Sequence, residues 1–193
     1  MNSFKEYIKL YTPLDESEIS LLHKSVEKRV YRKNEMIFSE GVVSEEIYFV
    51  TKGCVRLYYN VDGNEKTAFF YTEGQFICAG ESYTFNIPAR ENYQAVEQAE
   101  IFVFSKETNE ALFKETPKFE IIARVATENE LITCQKLIAS FVTRSPEERY
   151  LDLLTTQREL FQRVPQQYIA SFLGVSPETL SRIKSRALKK LRS

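Results

Sequence analysis

Residues 164–183 read VPQQYIASFLGVSPETLSRI, and this stretch predicts two helices joined by a tight turn. In the first helix, apolar side chains recur at helical spacing. Gly174 follows the last of them and suits the left-handed backbone conformation that ends many helices. Ser176 is a favourable N-cap for the second helix, and Pro177 fits its first position.

The second of these helices leaves polar side chains on its outer faces. Leu180 and Ile183 share one face and are expected to pack back on the first helix. The remaining residue types are those that bond base edges in a DNA major groove. Arg can form two hydrogen bonds with guanine, Glu can accept a hydrogen bond from cytosine, and Thr can hydrogen-bond to either base. We therefore predict that Glu178, Thr179 and Arg182 read bases. The alternative is an ordinary helical hairpin whose polar face is only solvated.

Charge is distributed unevenly along the chain. The net charge is −1, yet from Arg144 to Ser193 ten Lys and Arg residues stand against five Asp and Glu. From Arg182 onward there are six basic residues and no acidic one. Contacts to DNA phosphates need such a local positive field. The predicted phosphate contacts are Ser176, Ser181, Lys184, Arg186, Lys189 and Lys190.

Composition limits the other classes of function. Cys54, Cys78 and Cys134 are widely spaced without a Cys-x-x-Cys pair, so we expect reduced, largely buried thiols. His23 is the only histidine, which excludes a metal site or catalytic centre built from several histidines, such as that of a cupin-type enzyme. No apolar run approaches a membrane span, and the polar N-terminus lacks a signal-peptide core. We expect a cytoplasmic protein that is not an enzyme and has no metal and no membrane partner.

The pattern of the sequence changes near residue 30. Residues 1 to about 28 have the pattern of helices, and residues 30–104 have the pattern of strands. Short runs rich in β-branched and aromatic residues alternate with turns, which predicts a sandwich or barrel. Asp62-Gly63-Asn64, between two runs, is a strong hairpin signal. The predicted strands are residues 36–38, 46–50, 54–59, 67–71, 93–96 and 100–104.

Residues 117–142 predict one long helix with two apolar stripes. The first stripe follows alternating four- and three-residue steps, as in a two-stranded coiled coil. One face is expected to meet the β region and the other a partner helix in a homodimer; the alternative is an amphipathic helix packed within one subunit. The stripes are Ile122, Val125, Asn129, Ile132, Lys136 and Ala139, and Ile121, Leu131, Ile138 and Val142.

A hinge is predicted at Arg144, directly after the long helix. Ser145 can cap the next helix, Pro146 fits its first position and Glu148 completes a capping box. This helix is expected to anchor a small C-terminal domain through four apolar side chains, Tyr150, Leu151, Leu153 and Leu154.

This order of elements resembles the Crp/Fnr family of bacterial transcription regulators over nearly the whole chain. The strongest match is residues 174–182, Gly-Val-Ser-Pro-Glu-Thr-Leu-Ser-Arg, which are similar to the family's Gly-x-Ser-Arg-Glu-Thr-x-x-Arg. Residues 48–57 resemble its glycine-punctuated strand pair, and residues 74–77 its Gly-Asp-x-x segment. By this match Glu178 and Arg182 are the base-reading pair.

The resemblance implies an α+β fold in three parts. Residues 1–117 would form a cyclic-nucleotide-binding-like β roll (a jelly roll) that senses an effector, residues 118–143 a dimerisation helix, and residues 144–193 a helix-turn-helix DNA-binding domain. The implied partners are double-stranded DNA, a second copy of the chain, RNA polymerase and a small-molecule effector. A rival function is a ligand-sensing module that acts through protein contacts without binding DNA.

The sequence departs from the family pattern in the effector cassette. In the cyclic-nucleotide binders a Gly-Glu pair meets the ribose, and an Arg followed by Ser or Thr meets the phosphate. Gly80-Glu81 is present, but Ala89 stands at the arginine position and Arg90 at the next. We expect an effector other than cyclic AMP and no cofactor. The predicted lining of any pocket is Gly80, Glu81, Arg90 and Tyr93.

A second departure follows the recognition helix. Many family members continue into a β-hairpin wing, whereas residues 183–193 are a basic helical tail by pattern. The backbone contacts of a wing are then expected from the basic residues Lys184, Arg186, Lys189 and Lys190.

Overall fold

A computed structural model describes residues 12–190, with side chains as far as Ala187. Within these residues the chain forms a β roll with short helices, then one long helix, then a helical C-terminal part. The strands are β1 Glu27–Tyr31, β2 Met36–Phe38, β3 Glu46–Lys52, β4 Val55–Val61, β5 Asn64–Tyr71, β6 Phe76–Cys78, β7 Asn92–Ala95 and β8 Ala99–Ser105. The helices are α1 Glu16–Ser25, α2 Gly80–Phe85, α3 Lys106–Glu115, α4 Lys118–Thr143, α5 Pro146–Thr156, α6 Leu160–Arg163, α7 Gln166–Phe172 and α8 Pro177–Lys190.

The strands form two antiparallel four-stranded sheets, in the orders β1-β8-β3-β6 and β2-β7-β4-β5. Their facing sides bury one cluster of apolar side chains. The cluster is rich in aromatic rings, which include Tyr31, Phe38, Tyr48, Tyr71 and Tyr93. This arrangement confirms the predicted jelly roll, in which two sheets bury their inner faces against each other.

The predicted hairpin is present between β4 and β5. Val61 pairs with Asn64, and the two residues between them have positive φ angles, 51° at Asp62 and 76° at Gly63. A two-residue turn with both central φ angles positive matches the right-handed twist of the strands. The turn therefore fixes the register of the longest strand pair in the roll.

The predicted start of the strand region is three residues late, because β1 begins at Glu27. This strand pairs with β8 but buries only Tyr31. Its sequence, Glu-Lys-Arg-Val-Tyr, therefore carries no alternating apolar pattern from which a strand could be predicted. The preceding helix α1 begins as expected, with Asp15 accepting from the backbone of Glu18 in a capping box.

Helix α4 packs one face on the roll and leaves the opposite face exposed. Phe119 and Ile122 are buried beneath it, and Leu137 packs against the roll core. Ile122, the first residue of the predicted coiled-coil stripe, thus lies in the core of its own subunit. The exposed apolar side chains of the other face are Ile121, Leu131, Ile132, Ile138 and Val142.

The C-terminal part begins at a short connector of Arg144 and Ser145. Ser145 caps α5, with both hydrogen bonds of the capping box to Glu148 in place, as predicted. Of the four apolar residues expected to anchor this part, Tyr150 and Leu153 are buried, and Leu154 packs against the same cluster. The expectation for Leu151 is wrong, because 36% of this residue is exposed on the outer side of α5.

Candidate DNA-binding site

Helices α7 and α8 meet at the predicted tight turn. Gly174 has a φ angle of 69°, and the backbone N–H of Val175 donates to the carbonyl of Ala170 at 3.0 Å. The Ser176 hydroxyl then accepts from the backbone N–H of Thr179 at 3.2 Å, which caps α8 at its first turn. Pro177 occupies the first helical position, as expected.

Helix α8 is divided sharply into a buried and an exposed side. Leu180, Ile183 and Ala187 are at most 3% exposed and pack in the C-terminal core. Glu178 and Arg182 are exposed and Thr179 is half-buried. Because residues three and four apart share a helix face, the three predicted base-reading side chains lie together on the surface.

Hydrogen bonds order this surface. The Arg182 Nη2 donates to the Thr179 hydroxyl at 3.0 Å. A hydrogen bond to the Ser176 side chain and, to a smaller extent, a backbone hydrogen bond lower the pKa of the Glu178 carboxyl. The carboxylate is therefore ionised at neutral pH and available to accept from the amino group of cytosine.

The predicted phosphate-contact residues surround this surface as far as they are described. Ser176, Ser181 and Arg186 are exposed and Lys184 is half-buried. Arg186 also pairs with Glu147 of α5 at 3.2 Å, so part of its charge is neutralised within the chain. The side chains of Lys189 and Lys190 lie outside the described part of the structure.

The helix-turn-helix packs on the roll through α7, which leaves α8 on the outer side. The backbone N–H of Thr67 in β5 donates to the Ser171 hydroxyl at 2.9 Å. The rings of Phe70 and Phe172 lie 5.3 Å apart. This contact could not be predicted from the sequence motifs, because it joins segments about 100 residues apart.

One buried arginine lies at the centre of the contact between α7 and the roll. Arg56 of β4 is 1% exposed, and its guanidinium lies 4.1 Å from the ring of Tyr58 and 3.6 Å from that of Tyr168. Its Nη2 pairs with Glu65 at 2.5 Å and donates to Gln94 at 2.6 Å. An Arg in a strand of mixed residues gives no signal of this role in the sequence.

Ion pairs also join the C-terminal part to the roll. Arg163, at the end of α6, pairs with Glu73 at 2.7 Å and with Glu97 at 2.6 Å. Both carboxylates belong to loops of the roll. The C-terminal domain is thus held to the roll by these ion pairs as well as by the packing of α7.

The predicted effector residues are not brought together by any hydrogen bond or ion pair in the described part of the chain. Gly80, Glu81 and Arg90 are exposed, whereas Tyr93 is buried in the roll and its hydroxyl donates to the carbonyl of Cys78 at 3.1 Å. Ala89, at the family's phosphate-binding position, is buried in the roll core. These residues do not fit a cyclic phosphate, which requires a placed guanidinium.

The predicted contact between the long helix and the roll includes one hydrogen bond that the sequence did not indicate. The Tyr71 hydroxyl donates to the Glu130 carboxyl of α4 at 2.9 Å. Burial raises the pKa of the Glu130 carboxyl and, well above its ordinary value, that of the Tyr71 hydroxyl. The long helix is thus joined to the roll by a hydrogen bond as well as by apolar packing.

The three cysteines are free. Cys54 is buried, whereas Cys78 and Cys134 are half-buried rather than fully enclosed. Burial raises the pKa of the Cys54 thiol to about 12 and that of Cys78 to about 11.

Among residues 12–190 no group of His, Cys, Asp and Glu side chains is placed to hold a metal ion. No helix within the described residues is long and apolar enough to span a bilayer.

Comparison with known proteins agrees with this architecture. Residues 28–116 match the family model of the cyclic nucleotide-binding domain. No curated protein matches the sequence. Among solved structures, the c-di-GMP-responsive global regulator CLP of Xanthomonas campestris is 21% identical, with a TM-score of 0.72 over 92% of each chain.

Two further structures have the same arrangement. FixK2 of Bradyrhizobium japonicum is 21% identical, with a TM-score of 0.70 over 86% of this chain and 85% of its own. A protein described as a transcriptional regulator of the Crp/Fnr family, from Eubacterium rectale, is 14% identical, with a TM-score of 0.72 over 98% of this chain and 89% of its own. The fold is that of a Crp/Fnr regulator. At the level of the fold, the resemblance that the sequence motifs indicate is thereby confirmed.

Proposed function

We propose that this chain is a sequence-specific DNA-binding transcription regulator of the Crp/Fnr type that acts as a homodimer. The observation that carries the proposal is the division of α8. The side chains on its apolar side are at most 3% exposed, and Glu178 and Arg182 are exposed on the other side. A helix held in this way by its partner α7 can enter a major groove and present its first turns to base edges.

The basic residues around α8 support DNA rather than a protein partner of mixed charge. From Arg182 onward the sequence contains six basic residues and no acidic one. Their contacts would position the helix on the phosphates, while Glu178, Thr179 and Arg182 would select the bases. RNA polymerase is the further partner that we expect at target promoters.

Homodimerisation is proposed through the exposed face of α4. Leu131, Ile138 and Val142 are 57%, 65% and 79% exposed, which is unusual for apolar side chains in an ordered helix of a monomer. Pairing along this face would place two copies of α8 for half-sites whose centres lie about 34 Å apart.

The effector is proposed to be a molecule other than cyclic AMP. Ala89 offers no guanidinium, and Arg90 is exposed. The effector would act by changing the population of conformers in which both copies of α8 can bind DNA at once.

The proposal is tested by selecting bound duplexes from a random pool with the purified full chain, with and without cyclic AMP. We expect a two-fold symmetric motif that is unchanged by the nucleotide. Binding to this motif should weaken steeply between low and high salt, because cations are released from the phosphates that the basic residues contact.

A protein-binding module without DNA affinity is the competing function. It predicts no enriched motif and no salt-dependent affinity for any duplex, and this result would overturn the proposal. An enriched motif without two-fold symmetry would retain DNA reading and reject the homodimer.

A further inference from the structure

A cavity of about 340 Å³ lies where the three parts of the chain meet. The roll contributes Phe69 and Phe70, α4 contributes Leu137 and Phe141, and the C-terminal domain contributes α5 and the end of α7. Volumes of this order are typical of small-molecule sites, which are mostly apolar with a few placed polar groups. This cavity is separate from the predicted effector residues Gly80, Glu81, Arg90 and Tyr93, none of which lines it.

The polar groups of the cavity carry an excess of positive charge. Its charged lining residues are Lys136, Arg149 and Asp152, and Asp152 is already paired with Arg144 at 2.7 Å. In the described part of the chain neither Lys136 nor Arg149 forms an ion pair. Two cations beside an apolar cavity therefore lack a carboxylate partner.

Arg149 is held in place at the cavity by the backbone and by an aromatic ring. Its Nη1 and Nη2 donate to the carbonyls of Arg144 and Leu173 at 2.8 and 2.9 Å, and its guanidinium lies 4.4 Å from the ring of Phe141. Its buried Nε has no hydrogen-bond partner among the described atoms. Arg149 is therefore fixed at the cavity wall, and its charge has no carboxylate partner there among the described residues.

From these contacts we propose that the junction cavity binds a small aromatic carboxylate. The acid group would lie between Lys136 and Arg149, where two cations compensate its charge. The aromatic body would lie against the rings of Phe69, Phe70 and Phe172, with which it can stack. Because the walls come from the roll, α4 and the C-terminal domain, an occupant would favour the conformer in which the three are joined.

The cavity and the proposed dimer seam lie on different faces of α4. Leu137 packs towards the roll core, whereas its neighbour Ile138 is 65% exposed. One residue turns the helix by about 100°, so the partner helix of a homodimer would not occupy the cavity. A small ligand is therefore the occupant that the charge and position of the site favour.

The test uses the full chain without DNA, so its outcome does not depend on whether α8 reads bases. The probe is the fluorescent aromatic anion 1-anilinonaphthalene-8-sulfonate, titrated to saturation and then displaced by 1-naphthoate or by the uncharged 1-naphthamide. We expect one probe site per chain and displacement by 1-naphthoate at a concentration about fivefold lower than by 1-naphthamide, the scale of one partly exposed ion pair.

Two variants locate the site. Lys136→Gln should remove most of the difference between the two competitors, whereas Lys114→Gln, an exposed lysine on α3, should leave it unchanged. Ser140→Phe should abolish probe binding by filling the cavity. Its control is Thr127→Phe on an exposed position of the same helix, where the replaced hydroxyl likewise bonds a carbonyl of α4.

The outcomes separate cleanly. No saturable probe site, or equal displacement by the acid and the amide, overturns the proposal. Probe binding that survives Ser140→Phe, in a variant whose circular dichroism and melting remain those of a folded protein, overturns the location. If Ser140→Phe fails to fold, Lys136→Gln still decides, because a residue at the edge of the cavity is not needed for packing.

Discussion

In the proposed regulator, Arg182 is the side chain on which base recognition by α8 would depend most. It is exposed, it projects from the same helical face as Glu178, and its Nη2 is oriented by the Thr179 hydroxyl at 3.0 Å. A guanidinium positioned in advance loses less conformational freedom when it forms two hydrogen bonds to guanine. The sequence motif predicts this residue, but not the hydrogen bond that orients it.

Replacing Arg182 with Ala should therefore cost about 1–3 kcal/mol at the selected site and relax the preference for one base pair. Lys184→Ala should instead weaken all duplexes by a similar factor, because phosphates carry no sequence information. Fluorescence anisotropy with cognate and scrambled duplexes measures both. An equal loss on the two duplexes for Arg182→Ala would contradict its assignment to base reading.

Glu130 predicts a dependence of stability on pH. Its carboxyl has a pKa above the ordinary value of 4.5 because of burial, so the folded chain keeps a proton that the unfolded chain releases. The folded state should lose stability relative to Glu130→Gln as the pH rises from 4.5 through the raised pKa. The Gln variant keeps the acceptor for the Tyr71 hydroxyl without acquiring a charge.

Urea unfolding at pH 4.5 and pH 7.5 measures this difference. Glu110→Gln, at an exposed position of α3, is the control and should leave the pH dependence of the wild type in place. A constant difference between wild type and Glu130→Gln at both pH values would show that the carboxyl is ionised at no cost in the folded chain.

At the scale of elements, sequence patterns predicted the turns and caps that depend only on neighbouring residues. The turn at Asp62 and Gly63 and the cap at Ser145 depend on residues within four positions, and the structure confirms both. Strand β1 was missed because it lies at the edge of its sheet and buries only one residue. Such a strand can form without alternating apolar and polar residues in its sequence. The three-residue strand β6 was not among the predicted strands, since its pairing with β3 rather than its own sequence defines it.

The exposed face of α4 should control assembly. Leu131→Glu combined with Ile138→Glu should convert a homodimer into a monomer without unfolding the chain, because both side chains are more than half exposed and like charges would then face each other across the seam. Size-exclusion chromatography with light scattering gives the mass. Val42→Glu, at an apolar position of similar exposure outside α4, should leave the dimer intact.

This experiment also distinguishes between the two stripes of the predicted helix. Coiled-coil spacing alone gave no means of deciding which stripe meets the roll, since both contain apolar residues. A dimer that survives the double substitution but is lost in Ile132→Glu would move the seam to the first stripe. The structure favours the second, because the first begins at the buried Ile122.

At the scale of the whole molecule, the joint between the C-terminal domain and the roll is the feature that the sequence could not reveal. Its partners come from β4, β5, α6 and α7, and each is ordinary within its own segment. The proposed base-reading residues lie on one helix beside one turn, so a local motif is enough to propose them. The role of the buried Arg56 was not predictable, since only the folded chain brings Tyr168 over it.

Arg56→Ala should loosen this joint. It removes hydrogen bonds to Glu65 and Gln94 and the stacking on two tyrosines, a loss of about 2–3 kcal/mol in the free energy of unfolding. Hydrogen exchange at the Thr67 amide, which donates to Ser171 across the joint, should become much faster. Arg29→Ala, which removes a more exposed pair on β1, should cost less than about 1 kcal/mol and leave the Thr67 amide protected.

The connector of Arg144 and Ser145 limits how the DNA-binding domain can move. Two residues lengthen a chain by about 7 Å at most, so once released from the roll the domain can swivel about the end of α4 but hardly travel away from it. In the proposed homodimer the two swivel points are anchored by the paired helices. The distance between the two half-site centres of an operator would then be determined by the distance between the ends of the two paired helices. The rotation of each DNA-binding domain relative to its helix would be set by the torsion angles of Arg144 and Ser145.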